Sequence, residues 1–160
     1  MGITLQTPIS VIDELFKQSF EIMKEEIVNS LTKLGEECIV KIRDRSQQES
    51  WIDHTGNLRS SIGYSVFNYG KKQIESAFNI VLSGNDGAQA GRNFIEECSK
   101  SYANCYALVV VAGMNYADRV ESLDNKDVLA STELWAKSQV NDRIERAKKA
   151  AVSRINKLTI

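Results

Sequence analysis

The sequence predicts an α+β fold: a long N-terminal helix, a small, mostly antiparallel sheet of three to four strands with a hairpin, a short middle helix, and a C-terminal helix packed on the sheet. Three observations predict it. Apolar residues recur at three- and four-residue steps in the first and last fifths of the chain, alternate in twos across residues 62–82, and run unbroken from Tyr106 to Ala112. The 160 residues hold one proline, no internal repeat and no Pro-rich linker. They are expected to share one core in a single domain over 1–160, divided into a long helix (7–45), a sheet-containing core (58–130) and a C-terminal helix (131–158).

In the first helix Ile12, Phe16, Met23, Ile27, Leu31, Leu34, Cys38 and Ile42 form the apolar stripe. Thr7 or Ser10 can cap its start and Pro8 suits the first turn; Asp13 and Glu14 suit the positive end, and Lys41, Arg43 and Arg45 the negative end. Unbroken, it would span roughly 57 Å. That exceeds a domain of this size, so part of it should pack on something else; Gly35 is the expected place for a bend.

Ile62, Tyr64 and Val66 alternate with Gly63, Ser65 and Phe67 in a first strand, and Asn68-Tyr69-Gly70-Lys71 is turn chemistry. Ile74, Phe78, Ile80 and Leu82 then read as a second strand that completes a hairpin. A glycine-rich connection follows, then a helix over about 90–102 with Phe94, Ile95, Cys98 and Tyr102 on one side. The run 106–112 predicts a strand buried on both faces and therefore central in the sheet. Val128 to Ala130 could add a small edge strand. The last helix carries Val140, Ile144, Ala147, Ala151, Ile155 and Leu158.

Composition narrows the function. Twenty basic residues against 21 acidic ones give a net charge of -1, which argues against a global drive toward nucleic acid or anionic membrane. Three cysteines without a CxxC pair and a single histidine supply neither a disulfide framework nor a transition-metal set; no cofactor is expected, and a reducing compartment fits. The N-terminus has no signal-peptide pattern and no apolar run approaches the roughly 20 residues of a membrane helix, so neither export nor anchoring is expected. Met1-Gly2 lacks the Ser or Thr that a myristoylation site has, carrying Gln6 instead.

Charge is uneven. Residues 131–160 hold seven basic and three acidic side chains, net +4, which leaves -5 for the rest. That basic stretch reads as a solvated helix face or as a docking surface for a neighbouring subunit or nucleic acid. Asp53-His54-Thr55 offers a general base beside a carboxylate, but catalytic groups usually converge from separate segments, so a loop or capping role is expected. The pairs Glu25-Glu26, Glu36-Glu37 and Glu96-Glu97 point about 100° apart on helices and read as solvated faces. Gly84-x-x-Gly87-x-x-x-Gly91 lacks the Lys-Ser/Thr of a phosphate loop and reads as a flexible connection, with Gly84, Asn85, Asp86, Gly87 and Gly91 as a candidate partner-contact loop. Trp51, Tyr64, Phe67, Tyr69 and Phe78 could stack bases, but too few basic residues flank them; core packing or a subunit interface fits better.

Two segments carry a resemblance. Thr55-Gly56-Asn57-Leu58-Arg59-Ser60-Ser61-Ile62 leads into a strand, and Val109-Val110-Val111-Ala112-Gly113-Met114-Asn115-Tyr116-Ala117 is followed by Val120-Glu121. Their order after a long N-terminal helix resembles the tail-component family of long-tailed bacteriophages, the head-tail joining or tail-completion proteins often carried on prophages. In such proteins a glycine-bearing strand commonly follows the Glu, whereas here Ser122 to Asp127 follows. The resemblance covers about residues 10–150. It implies a virion structural subunit that forms a homo-oligomeric ring at the head-proximal end of the tail, without catalysis, cofactor or small-molecule substrate. Its partners would be itself and other neck and tail proteins, with DNA only passing through the ring. It would occupy the host bacterial cytoplasm during assembly and then the virion.

The motif residues are expected in structural roles. Thr55 caps the turn at Gly56, Asn57 bonds locally, and Leu58 and Ile62 face the core. Gly113 ends the buried strand, Tyr116, Ala117 and Val120 pack on a short turn, and Glu121 pairs with a nearby base. Loss of Tyr116 would then cost roughly 3 kcal/mol. The loop from Ser83 to Gly91 would order against the tail tube or the connector above. The alternative function is a small nucleic-acid-binding module using the basic C-terminal helix.

Overall fold

The computed structural model describes residues 8–45, 50–52, 54–123 and 126–158. Helix α1 (Ile9–Arg43) runs unbroken through Gly35 for 35 residues, about 52 Å. Pro8 stands at its N-cap and Ser10 lies inside its first turn, so no side-chain cap is supplied by either; Thr7 lies outside the described residues. After a four-residue helix, α2 (Asn57–Ser60), come the strands β1 (Ile62–Asn68) and β2 (Lys71–Glu75). Helix α3 (Asn85–Ser99) ends in a 3-10 turn over Lys100–Tyr102. Strand β3 (Tyr106–Ala112), helix α4 (Ala117–Glu121) and helix α5 (Ala130–Ile155) complete the chain. The fold is α+β.

The sheet has three antiparallel strands in the order β2-β1-β3. The hairpin turn has positive φ at both Tyr69 (49°) and Gly70 (76°), the geometry that matches the twist of the flanking strands. Alternate residues of β1 serve two layers. Ile62, Tyr64 and Val66 face α1, while Gly63 and Phe67 face Phe78 and α3. The antiparallel partner follows suit: Leu108 and Val110 join the α1 side, and Val109 and Val111 the α3 side.

Helix α5 lies along α1 and reaches the sheet through Val140 and Ile144, which join Leu31, Tyr64 and Val66. Small Ala147 and Ala151 are buried in α5. Arg143 pairs with Glu37 at 2.6 Å, and Arg154 forks onto Glu25 and Glu26, both at 2.8 Å.

Four expectations need correcting. The continuous apolar strand 106–112 is an edge strand, not the central one; β1 is central. Helices cover both faces of this narrow sheet, so even an edge strand is apolar on both sides. The second strand ends at Glu75 rather than Leu82. There the Ser76 hydroxyl takes the Tyr64 amide at 2.9 Å, and Phe78 turns under the sheet into the cluster with Ile95 and Val111, leaving Ile80 and Leu82 exposed. The α3 helix begins at Asn85, so the expected loop through Gly91 is its first two turns. Finally, Val128 to Ala130 forms no strand but the entry to α5, because Glu121 gathers its amides.

Candidate functional site

The two segments that carry the resemblance meet. Gly56 adopts φ 78°, which frees the chain to turn into α2, and the Asn57 amide donates to Thr55 Oγ1 at 3.3 Å. Asn57 bonds locally through its backbone, while its side chain reaches further: Oδ1 accepts the Gly87 amide of α3 at 3.2 Å. Leu58 and Ile62 are buried with Ile42, Trp51, Ala112, Ala117 and Val128, and Met114 and Val120 pack on that cluster. The Gly113 amide donates to the Ser61 carbonyl at 3.1 Å, which locks the end of β3 to the start of β1.

The glycines of α3 belong to the same joint. A Cβ on Gly87 would lie 1.9 Å from the Asn57 carbonyl oxygen, and one on Gly91 would lie 2.5 Å from that of Ser61. Their spacing, with Gly84, is i, i+3, i+7, which is one helix face. The face lets α3 press its backbone against α2 and the end of the sheet. Gly84, Asn85, Asp86, Gly87 and Gly91 are therefore packing and helix-start residues in this structure.

Two other motif roles differ from expectation. Among the described residues no base pairs with the Glu121 carboxylate; it accepts the amides of Val128 (3.2 Å), Leu129 (2.8 Å) and Ala130 (3.0 Å), capping the N-terminus of α5. Tyr116 is 36% exposed, so its truncation leaves no closed cavity.

Sequence reasoning missed the arginines that bind this joint. Arg43 Nη2 donates to the carbonyls of Arg59 (3.1 Å) and Ile62 (3.2 Å), and Arg59 returns a bond to the Arg43 carbonyl and stacks over Trp51 at 4.9 Å. Arg45 meets Asp127 at 2.8 Å and Ser131 Oγ at 2.8 Å. Burial pushes the Asp127 carboxyl up, but hydrogen bonds from Ser131 and the Arg45 charge outweigh it and hold the group below the usual carboxylate range. Their signal was Arg43 and Arg45 at the end of one helix, which the helix dipole had already explained, and Arg59 in the turn that follows.

The acidic pairs lie largely exposed, as expected, but most of their carboxylates have partners. Glu25, Glu26 and Glu37 of α1 pair with arginines of α5, Glu36 accepts the Tyr64 hydroxyl at 2.6 Å, and Glu96 pairs with Lys72. Of the hairpin aromatics, Trp51, Tyr64, Phe67 and Phe78 are buried and offer no face to bases; Tyr69 is exposed, its ring edge against Tyr106. His54 is exposed beside Thr55, and Asp53 lies outside the described residues. Among the described residues no group of three or more His, Cys, Asp or Glu could hold a metal ion, and no helix is long and apolar enough to cross a membrane.

Two surface features remain. A groove of about 470 Å³ opens between α1, the edge strand β3 and the first half of α5, walled by Leu31, Leu34, Leu108, Val110, Ala136 and Val140, with Glu133 and Lys137 at its rim. The α1 stripe that forms its floor continues outward: Ile9, Phe16 and Phe20 are 68%, 60% and 63% exposed, and Met23 is partly so. The ion pair of Arg154 with Glu25 lies one residue before α5 ends at Ile155, so the first turns of α1 extend past the end of α5. Comparison of the chain with protein-family models, with curated proteins and with solved structures gave no match.

Proposed function

We propose that this chain is a structural subunit of a tailed phage or prophage, a head-tail joining or tail-completion protein that forms a ring at the head-proximal end of the tail and acts by shape. One observation supports the reading above the others. The two segments that resemble that family are spent on each other, through the Gly113 to Ser61 bond and the shared cluster of Leu58, Ile62, Ala112 and Ala117. Motifs used this way define an architecture. The residues left outward are apolar or charged and suited to protein partners.

The nucleic-acid-binding alternative draws less support. Arg143 and Arg154 of the basic helix bind Glu37, Glu25 and Glu26 of α1, so three carboxylates from outside the segment answer much of its +4.

Disruption of the coding sequence in the phage or prophage that carries it, followed by electron microscopy of the lysate, tests the reading. Filled heads separate from tails are the expected result. Joined, infectious particles at wild-type yield would overturn it.

A further inference from the structure

The faces of α1 and α5 that share ion pairs also enclose a polar cleft. The two helices run antiparallel, since Glu25 meets Arg154 while Glu37 meets Arg143. Between those two joints the small side chains of Ala147 and Ala150 leave a cavity of about 240 Å³. Asn29 and Lys33, four apart on α1, line one wall; Arg143 and Arg146, three apart on α5, line the other.

The charge of this cleft is unbalanced. Among the described residues three cations and one carboxylate line it, and that carboxylate, Glu26, is held by Arg154 at 2.8 Å. Neither Lys33 nor Arg146 has a carboxylate partner among them, and the Asn29 amide has no hydrogen bond. Arg146 spends only its Nε, on the Asp142 carbonyl at 3.3 Å, so both of its Nη groups are left over. The Arg143 side chain is 15% exposed and places one Nη on Glu37 at 2.6 Å, yet its Nε is buried with no partner among the described residues. Buried orphan donors are rare in folded proteins and point to an ion or ordered water. A solvated helix face accounts for exposed cations, but not for a buried donor that lacks an acceptor.

We propose that this cleft binds a small oxyanion of the phosphate class, which ties α1 to α5. The Arg146 fork takes two of its oxygens, Lys33 and Asn29 reach others from the opposite wall, and Arg143 adds its charge beside them. Donors that converge from two helices suit a tetrahedral anion, whose oxygens point apart, better than a planar carboxylate. Glu26 lies seven residues before Lys33, about 10 Å along the helix, so its repulsion holds the anion toward the Lys33 end. The site does not depend on the reading of the chain as a ring subunit.

The test titrates the full chain with sodium phosphate at constant ionic strength, with chloride as the balancing anion. In nitrogen NMR spectra of the arginine side chains, the Nε resonances of Arg143 and Arg146 should shift along a saturable curve with a Kd of ~1 mM. At about 20 mM phosphate the Tm should rise by about 3–6 °C over the chloride reference. Lys33→Gln with Arg146→Gln removes donors at two exposed positions, leaves the pairs of Glu37 and Glu26 intact, and should abolish the shift at Arg143. Phosphate also stabilises proteins through exclusion from their surface; that part persists in the variant, so the site is read from the difference.

Equal Tm gains in both chains, or resonances that drift without saturating, overturn the proposal. The resonances are read on the unaltered chain, so they decide even if the variant fails to fold. A second titration adds duplex DNA at an equal concentration of phosphate groups. Unchanged phosphate binding supports a free ion, whereas its loss gives the cleft to a nucleic-acid backbone and overturns the assignment.

Discussion

Replacing Gly35 by Ala should destabilise this protein, although helix propensity alone says the reverse. Alanine in the interior of a helix is worth about 1 kcal/mol over glycine. Here a Cβ would stand 2.4 Å from Cδ2 of Tyr64 and 2.7 Å from its Cγ and Cε2, a full ångström inside ordinary contact. The ring cannot swing aside easily. Tyr64 is fully buried in the central strand, and its hydroxyl donates to Glu36 on the same helix at 2.6 Å. Overpacking of this kind costs ~1–3 kcal/mol, and weakening a hydrogen bond to a carboxylate costs a further ~1.5 kcal/mol or more. The net expectation is a loss of about 2 kcal/mol, or a fall in Tm of about 4–8 °C for a chain of this size. Urea unfolding followed by circular dichroism measures it. In a Tyr64→Leu background the same Gly35→Ala change should stabilise by about 1 kcal/mol, because the obstacle is gone. A Gly35→Ala chain more stable than wild type would refute the argument.

Glu121→Ala removes the acceptor for three amides at the start of α5 and should cost ~1–2 kcal/mol, read as a lower urea midpoint. Tyr116→Ala, at a position one-third exposed, should cost about 1 kcal/mol, not the 3 of a closed core site; thermal melting decides. Because the Asp127 carboxyl is held below its ordinary value, its contribution is present above the unfolded value near ~3.9 and is lost as the pH falls through the folded one. Asp127→Asn should therefore lose stability at pH 6 and show a flatter acid limb below about pH 4 in urea titrations. Burial and the Glu37 charge push the Cys38 thiol up to about 11, while Cys105 is exposed. At about pH 8 a thiol reagent should label Cys105 first and Cys38 only in denaturant; equal rates at both would contradict the packing.

The sequence displayed its two long helices, the first strand and the hairpin turn, since each is local: a stripe at helical steps, an alternation, a Tyr-Gly pair. It concealed what depends on layers. The run Tyr106 to Ala112 was as apolar as a central strand because α1 and α3 cover both sides of a sheet only three strands wide. Alternation at Phe78, Ile80 and Leu82 looked like a strand, yet only Phe78 is buried, drawn beneath the sheet by the room over Gly63 and Gly91. Gly84 at the cap of α3 and Gly87 and Gly91 within it were legible as composition but not as a face, although i, i+3, i+7 was in view. The motif residues were placed in the right part of the molecule and partly in the wrong roles. Asn57 and Glu121 satisfy amides 30 and 7 to 9 residues away, and no local pattern encodes such partners.

The pairing of α1 with α5 has a consequence for synthesis. The first helix to leave the ribosome acquires its companion only when the chain has reached about residue 155. At 5–20 residues per second that wait is on the order of ten seconds. Throughout it the side of α1 that carries Glu25, Glu26 and Glu37 lacks its cover, although Leu31 and Ile42 can meet β1 earlier. The packing of α1 on α5 is thus a late event in folding, and a nascent chain halted before Ala130 should be a ready client for chaperones that hold apolar helices.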